Sequence, residues 1–432
     1  MQRDELTRRD LLLGATAGAA VGLCTPALAH AGPKAGPTSG DTTKIGPAAP
    51  ARGSKARPRA QPTSDPAPAV MRPKLTKSLP AITPEEKAVA EEIAQKVRHA
   101  VASAAAEPRR TKFPAGSYAA IGQTYIRGLK RKRRRAVEAE AARAFSASVD
   151  VRKKAFGMYA TAAPSTHLRK LPPVRAQLAS AAADKLRNVS RRFVATNVSS
   201  DKLVLRSPYA NLGFHINEVR CKRETDEVGA DEIIMGGFAI APDGTMQKID
   251  VFTVSNDFDA GEVRTYYPQS SKHFTPDDPY RGRRLATLPL ASNAEWPATY
   301  TLVVFMGEED GGGFGQFLGD IYGRVADEVK ALILAQSIQL GAFLGPAIAQ
   351  VVGFVMDLLV DFLSILFGNK DDYVDRMETT LTIGSPNKAD FATIAEHETH
   401  VPPNVWASRQ WTKKYLGDGG YYKCKFHWRV WD

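Results

Sequence analysis

Residues 331–356 contain no charged side chain, 26 positions in a row, and apolar sequence continues to Phe367. A stretch of that length is enough on paper to cross a bilayer, and a helix so apolar is costly to leave in water. The chain must therefore build a core around it or hand it to a membrane. Its interior favours a core. Pro346 after Gly345 starts a new helix, and Gln336, Gln339 and Gln350 interrupt the apolar content. Beyond that break Gln350, Gly353, Asp357, Asp361 and Ser364 make a narrow polar stripe, opposite a wide face that includes Ile348, Val352, Val355, Leu359, Phe362 and Leu366. The spacing predicts two antiparallel helices, about 316–340 and 346–367, buried against each other and a sheet. The alternative is a hairpin that leaves the fold and enters a membrane.

The flanking sequence is strand-like. From about Leu203 short apolar runs are bounded by Gly, Pro, Asp and Asn: Val204-Leu205, Phe214–Ile216, Ile233–Met235, Ile249–Phe252 and Thr301–Phe305. Met377–Ile383 alternates, and at the end of the chain Tyr422, Cys424, Phe426, Trp428 and Val430 share one face against Lys423, Lys425, His427 and Arg429. The grammar is that of an antiparallel sandwich over 201–432, with the helical hairpin inserted at about 316–367. Upstream, helical signals cover 83–106, beginning with Thr83 as N-cap and Pro84 at N1, then roughly 117–160 and 174–192. The expected fold class is α+β, an N-terminal helical region at 83–200 followed by an antiparallel β-sandwich with an inserted apolar helical hairpin.

Charge divides the chain at the same place. Residues 32–200 carry 33 Lys and Arg against 11 Asp and Glu, whereas residues 201–432 carry 22 against 32. A basic arm is attached to an acidic body. Ten prolines fall in 32–80 among small and polar residues, a composition that cannot bury enough surface to offset its ordering entropy and predicts a disordered linker over 32–82. Ahead of it, Thr7-Arg-Arg-Asp-Leu-Leu-Leu13, the small apolar stretch Gly14–Leu23 and Ala-x-Ala sites ending at Ala29 and Ala31 have the order of an export signal. The Arg-pair core resembles the bacterial twin-arginine (Tat) signal, which implies a signal peptide over 1–31 and a secreted, periplasmic or cell-envelope protein.

Cleavage there would remove Cys24 and leave Cys221 and Cys424, both in strand-like runs of a chain bound for an oxidising compartment. A disulfide between them is the expectation, with two separate buried thiols as the alternative. Three acidic clusters follow: Asp226, Asp231 and Glu232 around Gly229, then Glu308, Glu309 and Asp310, then Asp371, Asp372 and Asp375. Loops at one end of a sandwich can bring such oxygens together for a hard cation. Asp226-Glu-Val-Gly-Ala-Asp231-Glu232-Ile resembles the first calcium loop of C2 domains, and Glu308-Glu309-Asp310 before Phe317-Leu-Gly319 is similar to a later one. The resemblance implies a calcium-binding β-sandwich with Asp226, Asp231, Glu232, Glu308, Glu309 and Asp310 as metal ligands, calcium as cofactor and an anionic lipid surface as partner. Ala230-Asp231-Glu232 replaces the family's Ser-Asp-Pro, and the hairpin is foreign to it.

The basic arm has one dense run, Arg127 and then Lys130, Arg131, Lys132, Arg133, Arg134 and Arg135. In an exported protein such a run suits an anionic envelope polymer or phospholipid head groups rather than a specific nucleic acid. Catalytic signals are thin. His397-Glu-Thr-His400 is one residue short of the zinc-protease spacing, and no nucleophile elbow, P-loop or dinucleotide fingerprint occurs. The leading expectation is an exported, non-enzymatic calcium-binding or surface-binding protein; the second is a secreted membrane-active effector that inserts the 316–367 hairpin, and the third a secreted hydrolase of unrecognised type.

Overall fold

The computed structural model describes residues 72–79, 81–107, 113–164, 208–225, 231–266, 282–290, 296–309, 313–335, 344–367, 373–395, 397, 404–417 and 419–432. The leader, most of the Pro-rich stretch, the expected helix at 174–192 and the expected strand at 204–205 lie outside them.

Four helices come first: α1 (Pro84–Ala106), α2 (Tyr118–Gly128), α3 (Arg131–Ser146) and α4 (Val149–Phe156). The start of α1 is a capping box, with Glu86 N–H donating to Thr83 Oγ1 at 3.2 Å and Thr83 N–H to Glu86 Oε2 at 2.7 Å. What reads as one helical stretch over 117–160 is three helices. Gly128 ends the first, and Ser148 caps the last by accepting from Val151 N–H at 3.4 Å.

Among the described residues eleven strands build two antiparallel sheets: β1 (Lys74–Thr76), β2 (Asn211–Arg223), β3 (Asp231–Ile240), β4 (Met246–Phe258), β5 (Val263–Thr265), β6 (Arg283–Pro289), β7 (Ala298–Glu308), β8 (Tyr373–Ile383), β9 (Val405–Ala407), β10 (Trp411–Gly417) and β11 (Gly420–Trp431). The first sheet has the order β1-β8-β7-β3-β4. In the second, β10-β11-β2-β5 are joined by β6 on β2 and β9 on β11. Lys74–Thr76, inside the stretch expected as linker, is paired to Thr380–Thr382.

Between β7 and β8 come α5 (Phe314–Ala335) and α6 (Leu344–Phe367), the expected inserted hairpin; the short α7 (Lys388–Ala392) follows β8. Gly307 pairs with Tyr373, so the chain leaves the sheet and returns to it at neighbouring positions.

The layers follow from strand periodicity. In β7, Tyr300, Leu302, Val304 and Met306 enter the core between the sheets, while Val303 and Phe305 enter a second core with the helices. β3 divides likewise, Ile233, Met235 and Ala239 inward and Phe238 and Ile240 under the helices. A strand covered on both faces reads as a continuous apolar run, which is why every residue of β7 is buried. At Gly237, φ is 153°, and a Cβ would meet the Val303 carbonyl oxygen at 2.0 Å, so this central crossing requires glycine. The described residues from Arg72 on thus form three layers: helices, first sheet, second sheet.

The disulfide expectation is overturned. Cys221 and Cys424 are free, buried thiols on adjacent strands, but Cys221 pairs with Tyr422 and Cys424 with Val219. They are diagonal neighbours, and a diagonal offset of about 7–8 Å is too long for the Cα separation that a disulfide spans. Burial, then the Asp231 carboxylate, pushes the Cys221 thiol up to about 12, and burial raises Cys424 well above the ordinary thiol value. Both thiols are unreactive in the fold. Thiol titration of the air-oxidised protein is expected to find Cys221 and Cys424 free after denaturation and masked before it. Quantitative loss of both on oxidation, reversed by reductant, would contradict the register.

Candidate functional site

The helical layer is organised around α6. Gly345–Phe367, 23 residues, is the one helix among the described residues long and apolar enough to cross a bilayer, about 35 Å at 1.5 Å per residue. Its polar stripe emerges in part: Asp357 and Asp361 are exposed, Gln350 and Gly353 are buried, and Val351, Val352, Val355, Leu359 and Leu363 on the apolar face are fully buried. Below it lie β7 and β8, beside it α5, and above it α1 and α3. Gly353 permits the approach to β8, where a Cβ would meet the Glu378 carboxylate. α5 is amphipathic, with Phe317, Leu318, Ile321, Tyr322, Val325 and Val329 buried and Asp320, Arg324 and Asp327 toward solvent.

In the roof, α1 buries Ala90, Ala94, Ala100 and Ala104, together with Val89, Ile93, Val97 and Val101, in the core it shares with α6. An open cleft of about 700 Å3 separates Ala144, Ala147 and Val151 of the α3–α4 segment from Ile365 of α6.

Polar hooks hold the roof in register. The Arg98 guanidinium of α1 donates to the Leu358 carbonyl of α6 and lies 5.6 Å from the Phe362 ring centroid. Burial lowers the Arg98 pKa, opposed by the Asp361 carboxylate. Glu328 of α5 accepts from Lys96 Nζ at 2.7 Å and from the Tyr118 hydroxyl at 2.9 Å. On the sheet side Arg376 binds Asp357 and Glu378, and Lys248 holds Asp320 at 2.6 Å. Each hairpin carboxylate in these pairs is held by a base on a neighbouring element. None of these contacts was legible in the sequence, since the partners lie up to 260 residues apart.

His99 sits under the same roof. Its Nε2–H donates to the Ala162 carbonyl at 3.2 Å, and the Phe145 and Phe156 rings lie edge-on at 5.3 and 5.5 Å. Burial lowers its pKa. In the second sheet burial and the Arg429 and Arg284 guanidiniums lower His215 well below the ordinary value.

The acidic residues are brought together only in part. Asp226 and Asp310 lie outside the described residues. Antiparallel pairing of β3 with β7 puts Asp231, Glu232, Glu308 and Glu309 at one sheet end, Ile233 opposite Glu308 and Glu309 N–H donating to the Glu232 carbonyl at 2.9 Å. Their carboxylates then diverge. Asp231 is buried and accepts from Thr225 N–H at 3.1 Å, from Thr225 Oγ1 at 2.8 Å and from the Tyr422 hydroxyl. Glu308 is buried, Glu232 is exposed, and Glu309 accepts from Gly313 and Gly315 N–H at the start of α5. Asp375 of the third cluster pairs with Lys413 at 2.9 Å. Among the described residues no group of three or more His, Cys, Asp or Glu is placed to hold a metal ion. His397 bridges to Ser408, and His400 lies outside the described residues.

The basic run ends α2 and opens α3. Arg127 closes α2, Lys130 is the N-cap of α3 without a side-chain cap bond, and Arg131–Arg135 fill its first turns. Cations at a helix N-terminus oppose its dipole, so the run weakens the helix it begins. Lys130, Arg131, Lys132 and Arg135 are exposed, and Arg133 and Arg134 are half-buried.

No protein-family model, no curated protein and no solved structure matches this chain.

Two outcomes are expected. Asp231→Ala, which removes three hydrogen bonds to a buried carboxylate, lowers stability by about 3 kcal/mol in denaturant titration, equally in calcium and in chelator. A loss seen only with calcium would make Asp231 a metal ligand. The second concerns acid. His99 and His215 are held neutral in the fold, whereas in the unfolded chain each protonates near pH 6.5. Below that value the unfolded state binds more protons, so their stability contribution is complete above about pH 6.5 and lost as pH falls toward the lowered folded pKa values. The thermal midpoint is expected to fall from pH 7.5 to 5, with a smaller fall in His99→Gln. An identical fall in that variant would remove His99 from the effect.

Proposed function

We propose that this is an exported membrane-active effector in which α6, accompanied by α5, leaves the helical roof and enters a phospholipid bilayer. One observation carries the reading: the single bilayer-length helix among the described residues is an insertion between two directly paired strands, roofed by helices from another part of the chain. Departure of such an insertion leaves the β7–β8 ladder intact, from Ala298–Ile383 to Gly307–Tyr373. α6 would span, and α5, with its charged face, would lie in the interface. The basic turns of α3 supply attraction to anionic head groups, worth about 1 kcal/mol per cation near the surface. The Tat-like leader is the address this role requires.

The competing reading, an exported calcium-binding surface protein, draws less support because Asp231 and Glu309 spend their carboxylate oxygens on groups within the fold.

Dye release from phosphatidylglycerol/phosphatidylcholine vesicles at pH 5 tests the proposal. Val360 of α6 is half-buried, so Val360→Arg is tolerated in the soluble fold but costs about 3 kcal/mol in a bilayer. This variant is expected to keep its thermal midpoint and lower the release rate by about tenfold or more. Arg98→Met, which removes the hook on Leu358, is expected to raise the rate at pH 7. Wild-type protein that releases no dye at either pH, or a Val360→Arg rate equal to wild type, would refute insertion of α6.

A further inference from the structure

The two sheets part at one edge of the sandwich. β1 borders the first sheet there and β9–β10 the second, and residues of both line an open cleft of about 620 Å3. Its walls carry Trp406, Trp411 and Trp428, and Arg72 and Arg409 stand beside them. None of these residues belongs to the helical layer, so the cleft is independent of the hairpin.

An interruption in the edge strand creates it. β9 and β10 both pair with β11, through Ala407–Arg429 and Trp411–Phe426, but Ser408–Gln410 between them leave the ladder. Ser408 ties the break down: its N–H donates to the Trp428 carbonyl at 2.8 Å, and its Oγ accepts from Trp428 N–H at 3.1 Å. Interruptions of this kind re-aim side chains. Here they bring the Trp406 and Trp428 rings to 4.7 Å, tilted by 39°, and leave Trp411 stacked on Phe426 at 5.0 Å. The rings are thereby fixed in position before any ligand arrives.

Polar features accompany them. The indole N–H groups of Trp406 and Trp411 are buried with no hydrogen-bond acceptor among the described residues, a desolvation penalty that an oxygen reaching them would remove. Arg72 and Arg409 are exposed, and neither is paired with a carboxylate among the described residues.

We propose that this cleft binds an anionic saccharide. Aromatic faces accept the apolar C–H face of a sugar ring, indole N–H groups donate to hydroxyl oxygens, and guanidiniums hold a carboxylate or sulfate in bidentate fashion. The volume is that of a small-ligand site. Charge excludes the other usual guest of clustered aromatics, a quaternary ammonium, because two arginines flank the rings. A single-stranded nucleic acid fits less well, since it is bound along a basic groove that tracks several nucleotides, whereas the three cations of this cleft, Arg72, Lys74 and Arg409, stand together at one place.

Three of the five tryptophans line the cleft, so intrinsic fluorescence reports occupancy directly. Full-length protein would be titrated with a heparin-derived tetrasaccharide, neutral cellotetraose and a short oligothymidylate, without vesicles. Saturable quenching is expected with the sulfated saccharide, about tenfold tighter than with the neutral one. Arg409→Glu should abolish that preference with an unchanged thermal midpoint, and Trp411→Ala, which also gives up its packing on Phe426, should weaken both saccharides when titrated below its own thermal midpoint. The proposal is overturned by the absence of saturable quenching with either saccharide, by tighter binding of the oligothymidylate, or by saccharide affinities that neither substitution changes. Because vesicles are absent, failure here leaves the hairpin reading standing, and failure of dye release leaves this one standing.

Discussion

Where α6 puts its apolar surface decides the rest of the architecture. Buried Val, Ile, Leu and Phe side chains over 24 residues need cover on every side but one narrow stripe. Sheet strands supply the floor and α5 one wall, but neither reaches the top. The N-terminal helices exist in this position because α6 needs a roof, and the first sheet is apolar on both faces because it is the floor of one core and the ceiling of another. Asp357 and Asp361, exposed along the stripe, are what make the helix compatible with water.

The roof differs from the floor in how it holds. β7 and β8 are locked by a ladder, whereas α1 is tied to α6 by the half-buried Arg98 guanidinium on the Leu358 carbonyl and to α5 by the Lys96–Glu328 ion pair. Buried partners of this kind fix register more than they add stability, and breaking one leaves a charge without compensation. A buried neutral histidine at position 99, in the helix that forms the roof, gives the same layer sensitivity to acid. The basic first turns of α3 work against their own helix dipole, a local cost to the helix they begin.

Much of this was legible residue by residue. The charge-free run and Pro346 announced two apolar helices, and Asp357 and Asp361 of the polar stripe are exposed, whereas Gln350 and Gly353 of the same stripe are buried, Gly353 against β8. Thr83 as N-cap and Pro84 at N1 marked the start of α1. What stayed hidden depended on register and on distant partners. Cys221 and Cys424 looked ready to pair because both lie in strand-like runs of a chain read as exported; nothing in the sequence revealed that β2 and β11 are aligned with the two sulfurs on a diagonal. Asp231 carried the look of a metal ligand, yet its partner, Tyr422, lies 191 residues away. The tryptophans after 400 read as sheet-face aromatics, and only the break at Ser408–Gln410 collects three of them around one cleft.

Amide hydrogen exchange with and without phosphatidylglycerol vesicles at pH 5 tests the central claim most directly, because it reads each layer separately. Departure of the hairpin predicts that α1–α4 lose protection when vesicles are added, that β2, β3, β7 and β11 keep theirs, and that residues 344–367 remain protected, now by the bilayer. Unchanged protection of α1–α4 in the presence of vesicles would contradict it, as would equal loss across the helices and the strands.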